Sequence, residues 1–225
     1  MFDEHCTCIY VYPYQYLQIR KNKEFYSRAN YILLDGMMLT LLFNLFKISD
    51  NRRMSIDFSS IANDLLSYVS DNKKTLYLIG ARDEEISQFI INIKNRYPDL
   101  NIIGSHHGYI KNNPVQYEEA IIDILGLNPD FLLCGMGSPL QEQFLFDVQD
   151  RGWNGTGFSC GGFIFQCSLK LDYYPVWVNK FKLRWLYRGI YEPKALLKTL
   201  RIPKFIILLM YDILKHKLKK SPAID

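Results

Sequence analysis

An apolar run that ends in Asp-Gly, YILLDG with Asp35 and Gly36, offers the first group able to do chemistry. A carboxylate in that position either forms the turn or faces a cleft as a general base. The second place is CGMGSPLQEQF, residues 134–144, where Gly135 and Gly137 precede Ser138, Pro139, Gln141 and Glu142. Glycines ahead of a helix let the backbone approach a phosphate, and the free N–H groups at the helix start favour an anion. The same residues have a purely structural reading. Ser138 would be the N-cap, Pro139 the first helical residue, and Gln141 the far end of a Ser-x-x-Gln capping box. Leu140 stands where a dinucleotide fingerprint needs its third glycine, which argues against a nicotinamide cofactor.

Other reactive types are less organised. Ser105-His106-His107-Gly108 follows an apolar run, and neighbouring histidines on an extended segment point to opposite sides. Hydrogen bonds from His107 to structure or substrate are therefore expected rather than a shared metal. Cys6-x-Cys8 has no second pair at matching spacing. HExxH, P-loop and Asp-x-Asp patterns are absent from the sequence. No metal site is predicted.

These groups need a scaffold. YILLD (31–35), TLYLIG (75–80), LNIIG (100–104) and FLLCG (131–135) are short and apolar and end in turn residues, as strands buried on both faces do. GTGFSCGG (155–162) is a weaker fifth, carrying Gly161. Between them, Ile86, Phe89, Ile90 and Ile93 recur at helical spacing over 83–96, with Asp83 as N-cap. Tyr117, Ala120, Ile121, Ile124 and Leu125 do the same, with Gly126 as the stop. Alternating strands and helices predict an α/β fold with a mostly parallel, Rossmann-like sheet. Ligands then bind beyond the carboxyl ends of the strands, where Asp35-Gly36, Gly80-Ala81, Gly104 and Gly135–Gly137 fall.

The 225 residues, 48% apolar and 22% charged, suit one domain with an appendage. The N-terminus lacks a secretory pattern, and five cysteines without framework spacing fit reduced thiols in a cytosolic compartment. The net charge of +4 is uneven. Residues 1–179 have 15 Lys/Arg against 20 Asp/Glu, whereas 180–225 have 12 against 3. The boundary predicts an α/β domain over 1–179 and a basic amphipathic appendage over 180–225. Its apolar stretch, 205–214, is too short to span a bilayer. Basic flanks interleaved with Trp185, Tyr187, Phe205 and Ile206 suit a helix lying in the membrane interface; the other reading is a helix packed on the domain with a solvated basic face. Nucleic acid fits poorly, because the body is acidic.

In this order, the pieces resemble the WecG/TagA/CpsF family of bacterial glycosyltransferases, from about Tyr10 to the Leu209 region. The segments are ANYILLDGM (29–37), LIGAR (78–82), PDLNIIGSHHGY (98–109), NPDFLLCGMGSPLQEQF (128–144), CGGFIFQ (160–166) and YYPVWVNKFKLRWLYRGIYEP (173–193). The resemblance implies a metal-independent, inverting transfer of N-acetylmannosamine, its uronate or a related hexose. The donor would be a UDP-sugar, with no further cofactor, and the acceptor a polyprenyl-diphosphate-linked sugar of capsule, teichoic acid or exopolysaccharide synthesis. It implies work at the cytoplasmic face of the membrane, with the appendage docked there; a homo-oligomer is left open. It makes Asp35 the candidate base, with Gln141 and Arg188 as catalytic partners. Tyr12, Tyr14, Gly36, Arg53, Gly80, Ala81, His107, Gly135, Gly137, Pro139, Glu142 and Gly161 become substrate-binding candidates.

The chain also departs from the family pattern. Tyr12-Pro13-Tyr14 replaces Thr-Pro-Asn, Ser55-Ile56-Asp57 replaces Gly-Thr-Asp, Tyr173-Tyr174-Pro175 replaces Arg-Ala-Pro, and Arg184 replaces a Glu. The chain also begins without the strand and helix that usually precede this region. These departures predict either a subgroup with another donor or acceptor, or a catalytically impaired homologue serving as a membrane-bound partner in a polysaccharide assembly complex.

Overall fold

Six short runs lie side by side in the computed structural model, which describes residue 2 and residues 5–48, 52–180, 183–191 and 202–220. Side chains of 176, 179, 185, 188, 189, 191 and 216–220 are outside the description. The strands are β1 (Thr7–Val11), β2 (Tyr31–Leu34), β3 (Thr75–Gly80), β4 (Asn101–His106), β5 (Phe131–Gly135) and β6 (Thr156–Ser159). Among the described residues they form one all-parallel sheet in the order β2-β1-β6-β5-β3-β4. Parallel neighbours need crossovers, and helices supply them. In chain order these are α1 (Pro13–Lys21) and α2 (Lys23–Tyr26), α3 (Met37–Leu45) and α4 (Ala62–Asp71), α5 (Asp83–Arg96), α6 (Pro114–Leu127) and α7 (Leu140–Asp150). After β6 come α8 (Phe163–Leu169), α9 (Val176–Lys180), α10 (Arg184–Tyr191) and α11 (Ile202–Lys220).

The period-two alternation of β3 divides its side chains between two cores. Leu76 and Leu78 pack with Leu65, Leu66, Phe89, Ile93 and Ile164 from α4, α5 and α8. Tyr77 and Ile79 pack with Ala120, Ile121, Ile124, Phe144 and Leu145 from α6 and α7. A third cluster joins Val11, Leu17, Leu34 and Leu39 to Phe205, Leu209 and Ile213 of α11. Burial of each of these α11 side chains contributes about 2 kcal/mol. Asp212 fixes the contact, accepting from Tyr16 Oη at 2.8 Å and from Arg20 Nε and Nη2 at 2.8 and 3.2 Å.

The expected fold class holds, with corrections to its parts. β1 was not foreseen, yet it is fully buried between β2 and β6. β2 and β4 are the edge strands and only partly buried, not covered on both faces. Asp83 is the first residue of α5, and the N-cap is Arg82, whose backbone N–H donates to Glu85 at 2.8 Å. Gly126 lies inside α6, which stops at Asn128 because Asn128 takes the left-handed conformation with φ 45°. Among the described residues no helix is long and apolar enough to cross a membrane.

Candidate active site

The helices following β3 and β5 leave these adjacent strands toward opposite faces, α5 into one core and α7 into the other. Such a reversal opens a crevice at the carboxyl ends of the two strands. Glycines from four loops pack there. A Cβ on Gly108 would lie 2.7 Å from Gly80 Cα, one on Gly80 2.7 Å from Gly135 O, and one on Gly135 2.8 Å from Gly161 O. Gly80 also has φ +151°, and Ala81, with φ 55°, accepts the Gly108 N–H at 2.8 Å. Gly80, Gly108, Gly135 and Gly161, far apart in sequence, thus form one backbone floor, with Ala81 beside Gly80 tied to it.

Ahead of this floor, the cap at 137–141 differs from the expected box. α7 begins at Leu140 with Pro139 as its cap residue and no side-chain capping bond. Gln141 reaches past Ser138: its Oε1 accepts the Gly137 N–H at 3.2 Å, and its Nε2 donates to Glu142 Oε1 at 2.8 Å. Gly137, at φ +81°, lets its amide turn back toward the helix. Gln15 Nε2 donates to the same Glu142 oxygen at 2.7 Å. Gln141 and Glu142 are buried; Glu142 Oε1 takes both bonds, while its Oε2 is buried with no hydrogen-bond partner among the described residues. Burial raises the Glu142 pKa, against the opposing bonds from Gln141, Ser138 and Gln15. Glu142→Ala is expected to cost about 2–4 kcal/mol, since two buried donors lose their acceptor. Glu142→Gln, which keeps one carbonyl oxygen, should stay near wild type in urea unfolding. Equal losses for the two variants would show that this network does not brace the loop.

Asp35 follows β2 directly, its N–H held by Val11 O at 2.8 Å. Gly36, at φ 102°, turns the chain into α3, and Tyr12 and Pro13 lie against it. Asp35 Oδ1 is 3.3 Å from Arg53 Nη2. Loss of solvent raises the Asp35 pKa despite that cation. Arg53 also bonds Asp57, which accepts from Arg184 Nη1 at 2.9 Å and from Ser55 Oγ at 2.8 Å. Burial alone would raise Asp57, but Arg53 and Arg184 hold it down at about 2. The two carboxylates around Arg53 therefore differ in basicity, and Asp35 is the better proton acceptor. Arg184 Cζ also lies 4.7 Å from the Tyr174 ring centroid.

Tyr12 and Tyr14 stack with centroids 6.3 Å apart at the start of α1, and Gln18 Nε2 donates to Tyr14 Oη at 3.1 Å. His107 lies just beyond β4, its Nδ1 accepting the Tyr109 N–H at 3.3 Å. The His106 and His107 rings sit 4.6 Å apart rather than on opposite sides, because the strand ends between them. Among the described residues no group of three His, Cys, Asp or Glu could hold a metal ion. Arg188 belongs to α10, but its side chain lies outside the described residues.

Sequence reasoning missed Tyr10, Gln15, Asp57 and Arg184 as parts of this edge. Tyr10 Oη is buried near the end of β1 with no hydrogen-bond partner among the described residues. A β-branched and aromatic run ahead of Tyr-Pro was the available signal for β1 and Tyr10. Nothing local pairs Asp57 with Arg184 across 127 positions.

The sheet order and the glycine floor define a Rossmann-like α/β protein with its candidate site along the carboxyl edge. The glycosyl transferase WecG/TagA/CpsF family model matches residues 4–220, and the chain belongs to that family. It is thus a glycosyltransferase. It is 33% identical over 199 residues to a Shigella boydii UDP-Gal:alpha-D-GlcNAc-diphosphoundecaprenol beta-1,4-galactosyltransferase, covering 88% of this chain and 83% of the relative. Two N-acetylglucosaminyldiphosphoundecaprenol N-acetyl-beta-D-mannosaminyltransferases are 26% identical. The one from Bacillus subtilis (strain 168) aligns over 83% of this chain and 70% of its own, the one from Staphylococcus aureus (strain NCTC 8325 / PS 47) over 89% and 75%.

Proposed function

We propose that the protein transfers a hexose from a UDP-sugar, with inversion, to a hydroxyl of a polyprenyl-diphosphate-linked sugar. The observation that carries this reading is Asp35, a carboxylate of raised pKa beside Arg53 at the carboxyl edge of the sheet. Asp35 takes the acceptor hydroxyl's proton, the hydroxyl oxygen bonds to the anomeric carbon, and the bond to UDP breaks on the opposite face. The Gly135–Gly137 backbone lies against the donor, while the Gly137 N–H, held by Gln141, and the Gln141–Glu142 bond keep that loop in shape. Arg53, Arg184 and, by the resemblance, Arg188 meet the charge on the departing diphosphate, so no metal is required for that task. Tyr12, Tyr14, Pro139 and His107 wall the crevice. The protein works peripherally on the cytoplasmic face of the membrane, where such acceptors are held.

The test is a donor panel led by UDP-galactose and UDP-N-acetylmannosamine, with a synthetic polyprenyl-diphosphate-GlcNAc acceptor and EDTA present. Transfer from at least one donor is expected. The second reading, a catalytically impaired partner in an assembly complex, draws on the stacked Tyr12 and Tyr14 where a hydroxyl and an amide are usual. UDP binding by calorimetry without transfer from any donor would favour it.

A further inference from the structure

α3 starts one residue beyond Gly36 and Asp35, and its outward side is apolar. Leu41 and Leu45 are exposed one turn apart on α3, Leu45 at 72%, and Ile48 is exposed just past the helix end. No acidic residue occurs between 36 and 49, and Lys47 lies exposed beside the stripe. α11 carries a longer apolar stripe at i, i+4 and i+7, Ile207, Tyr211 and Leu214, with Ile207 at 68% exposure. Exposed Lys204 and Lys215 flank it. The single acid of residues 202–220, Asp212, is turned inward to Tyr16 and Arg20. The inner sides of both helices fill one core cluster, through Leu39 and Leu42 on α3 and Phe205, Leu209 and Ile213 on α11.

Two exposed apolar surfaces with basic flanks and, among the described residues of α3 and α11, no outward acid match the chemistry of a bilayer containing anionic lipid. A second copy of the chain is a poorer occupant, because it would set Lys47, Lys204 and Lys215 against themselves. We infer that α3 is a second membrane-docking element, which joins α11 in one face and seats the acceptor side of the site on the bilayer. This rests on the reading above, in which the acceptor is lipid-linked. α3 has nine residues and is about 13 Å long. Docking it holds Asp35 within about one short helix of the lipid surface.

Flotation of the full chain with phosphatidylcholine vesicles, with and without phosphatidylglycerol, tests this. Leu41→Glu/Leu45→Glu is expected to lower vesicle partition at least tenfold, as is Ile207→Glu/Leu214→Glu, with circular dichroism unchanged. If the glutamate pair on α3 lowers the melting temperature, Leu41→Ser/Leu45→Ser replaces it, with a smaller loss expected in the same direction. The α3 variant should also lose transfer to a vesicle-embedded acceptor and keep it with a short-chain, water-soluble one. Should the α3 variants float like wild type while the α11 variant is released, α3 is no docking element and membrane binding through α11 stands. Wild-type protein that floats with neither vesicle overturns the membrane reading itself. An α3 variant that changes only the size-exclusion mass shows that the face joins copies of the chain, and overturns the inference too.

Discussion

Asp35→Asn is expected to lower sugar transfer by roughly two to four orders of magnitude, the usual contribution of a positioned general base. UDP binding should change little. The raised pKa of Asp35 moves the acidic limb of kcat/KM upward from where a free aspartate would put it, because only the deprotonated group accepts the proton. Stability should move the other way. A carboxyl whose pKa is higher in the folded chain than in the unfolded one destabilises the fold when ionised. Asn removes that cost, so the variant should melt at the wild-type temperature or above it near pH 7. The difference should fade as pH falls through the raised folded value and be gone below the unfolded value of about 3.9, where both states are protonated. Asp57 is the competing candidate, but a carboxylate held at about 2 by two guanidinium groups is a poor base. Wild-type turnover in Asp35→Asn would remove the base assignment.

Gly80→Ala should have the largest effect on stability. The new Cβ would stand 2.7–2.9 Å from O, C and Cα of Gly135, all backbone atoms, at a φ of +151° that L side chains rarely adopt. Overpacking and backbone strain together cost about 3 kcal/mol or more, roughly 6–12 °C in melting temperature for a chain of this size. Gly126→Ala is the matched control. Its Cβ would meet nothing within 4 Å, and it lies inside α6, so a gain of about 0.5–1 kcal/mol is expected. Thermal melts of both variants decide the matter. A Gly80→Ala protein as stable as wild type would mean that the four loops are not in backbone contact.

How far the sequence reveals this arrangement depends on the range of each interaction. α5 was legible because Ile86, Phe89 and Ile93 repeat at the helical period and are all buried. β3 and β5 were legible because continuous apolar runs end in glycine. β1 escaped because Thr7–Val11 runs into Tyr-Pro, with no glycine to mark a strand end, although it is buried throughout. The Ser138 cap was misjudged for a different reason. Local chemistry favoured the box, but Gly137, free to take a positive φ, offered its own amide to Gln141. The Gln15–Glu142 bond spans 127 residues, and so does the Arg184–Asp57 bond. Such pairs exist only once the sheet has set its strand order, so no spacing rule could show them. Asp35 was legible as a residue, and its contrast with Asp57 was not, because that contrast is made by Arg53 and Arg184.

The four-glycine floor has a mechanical consequence. Loops whose main chains already touch cannot slide past one another, so the base of the crevice behaves as an anvil of fixed width. On the function proposed above, accommodation of sugars of different size would then fall to side chains: the stacked Tyr12 and Tyr14, His107, and Tyr174 with Arg184 where α10 reaches back to Asp57. Attempts to retune which sugar is carried would therefore work on these side chains and leave the floor untouched.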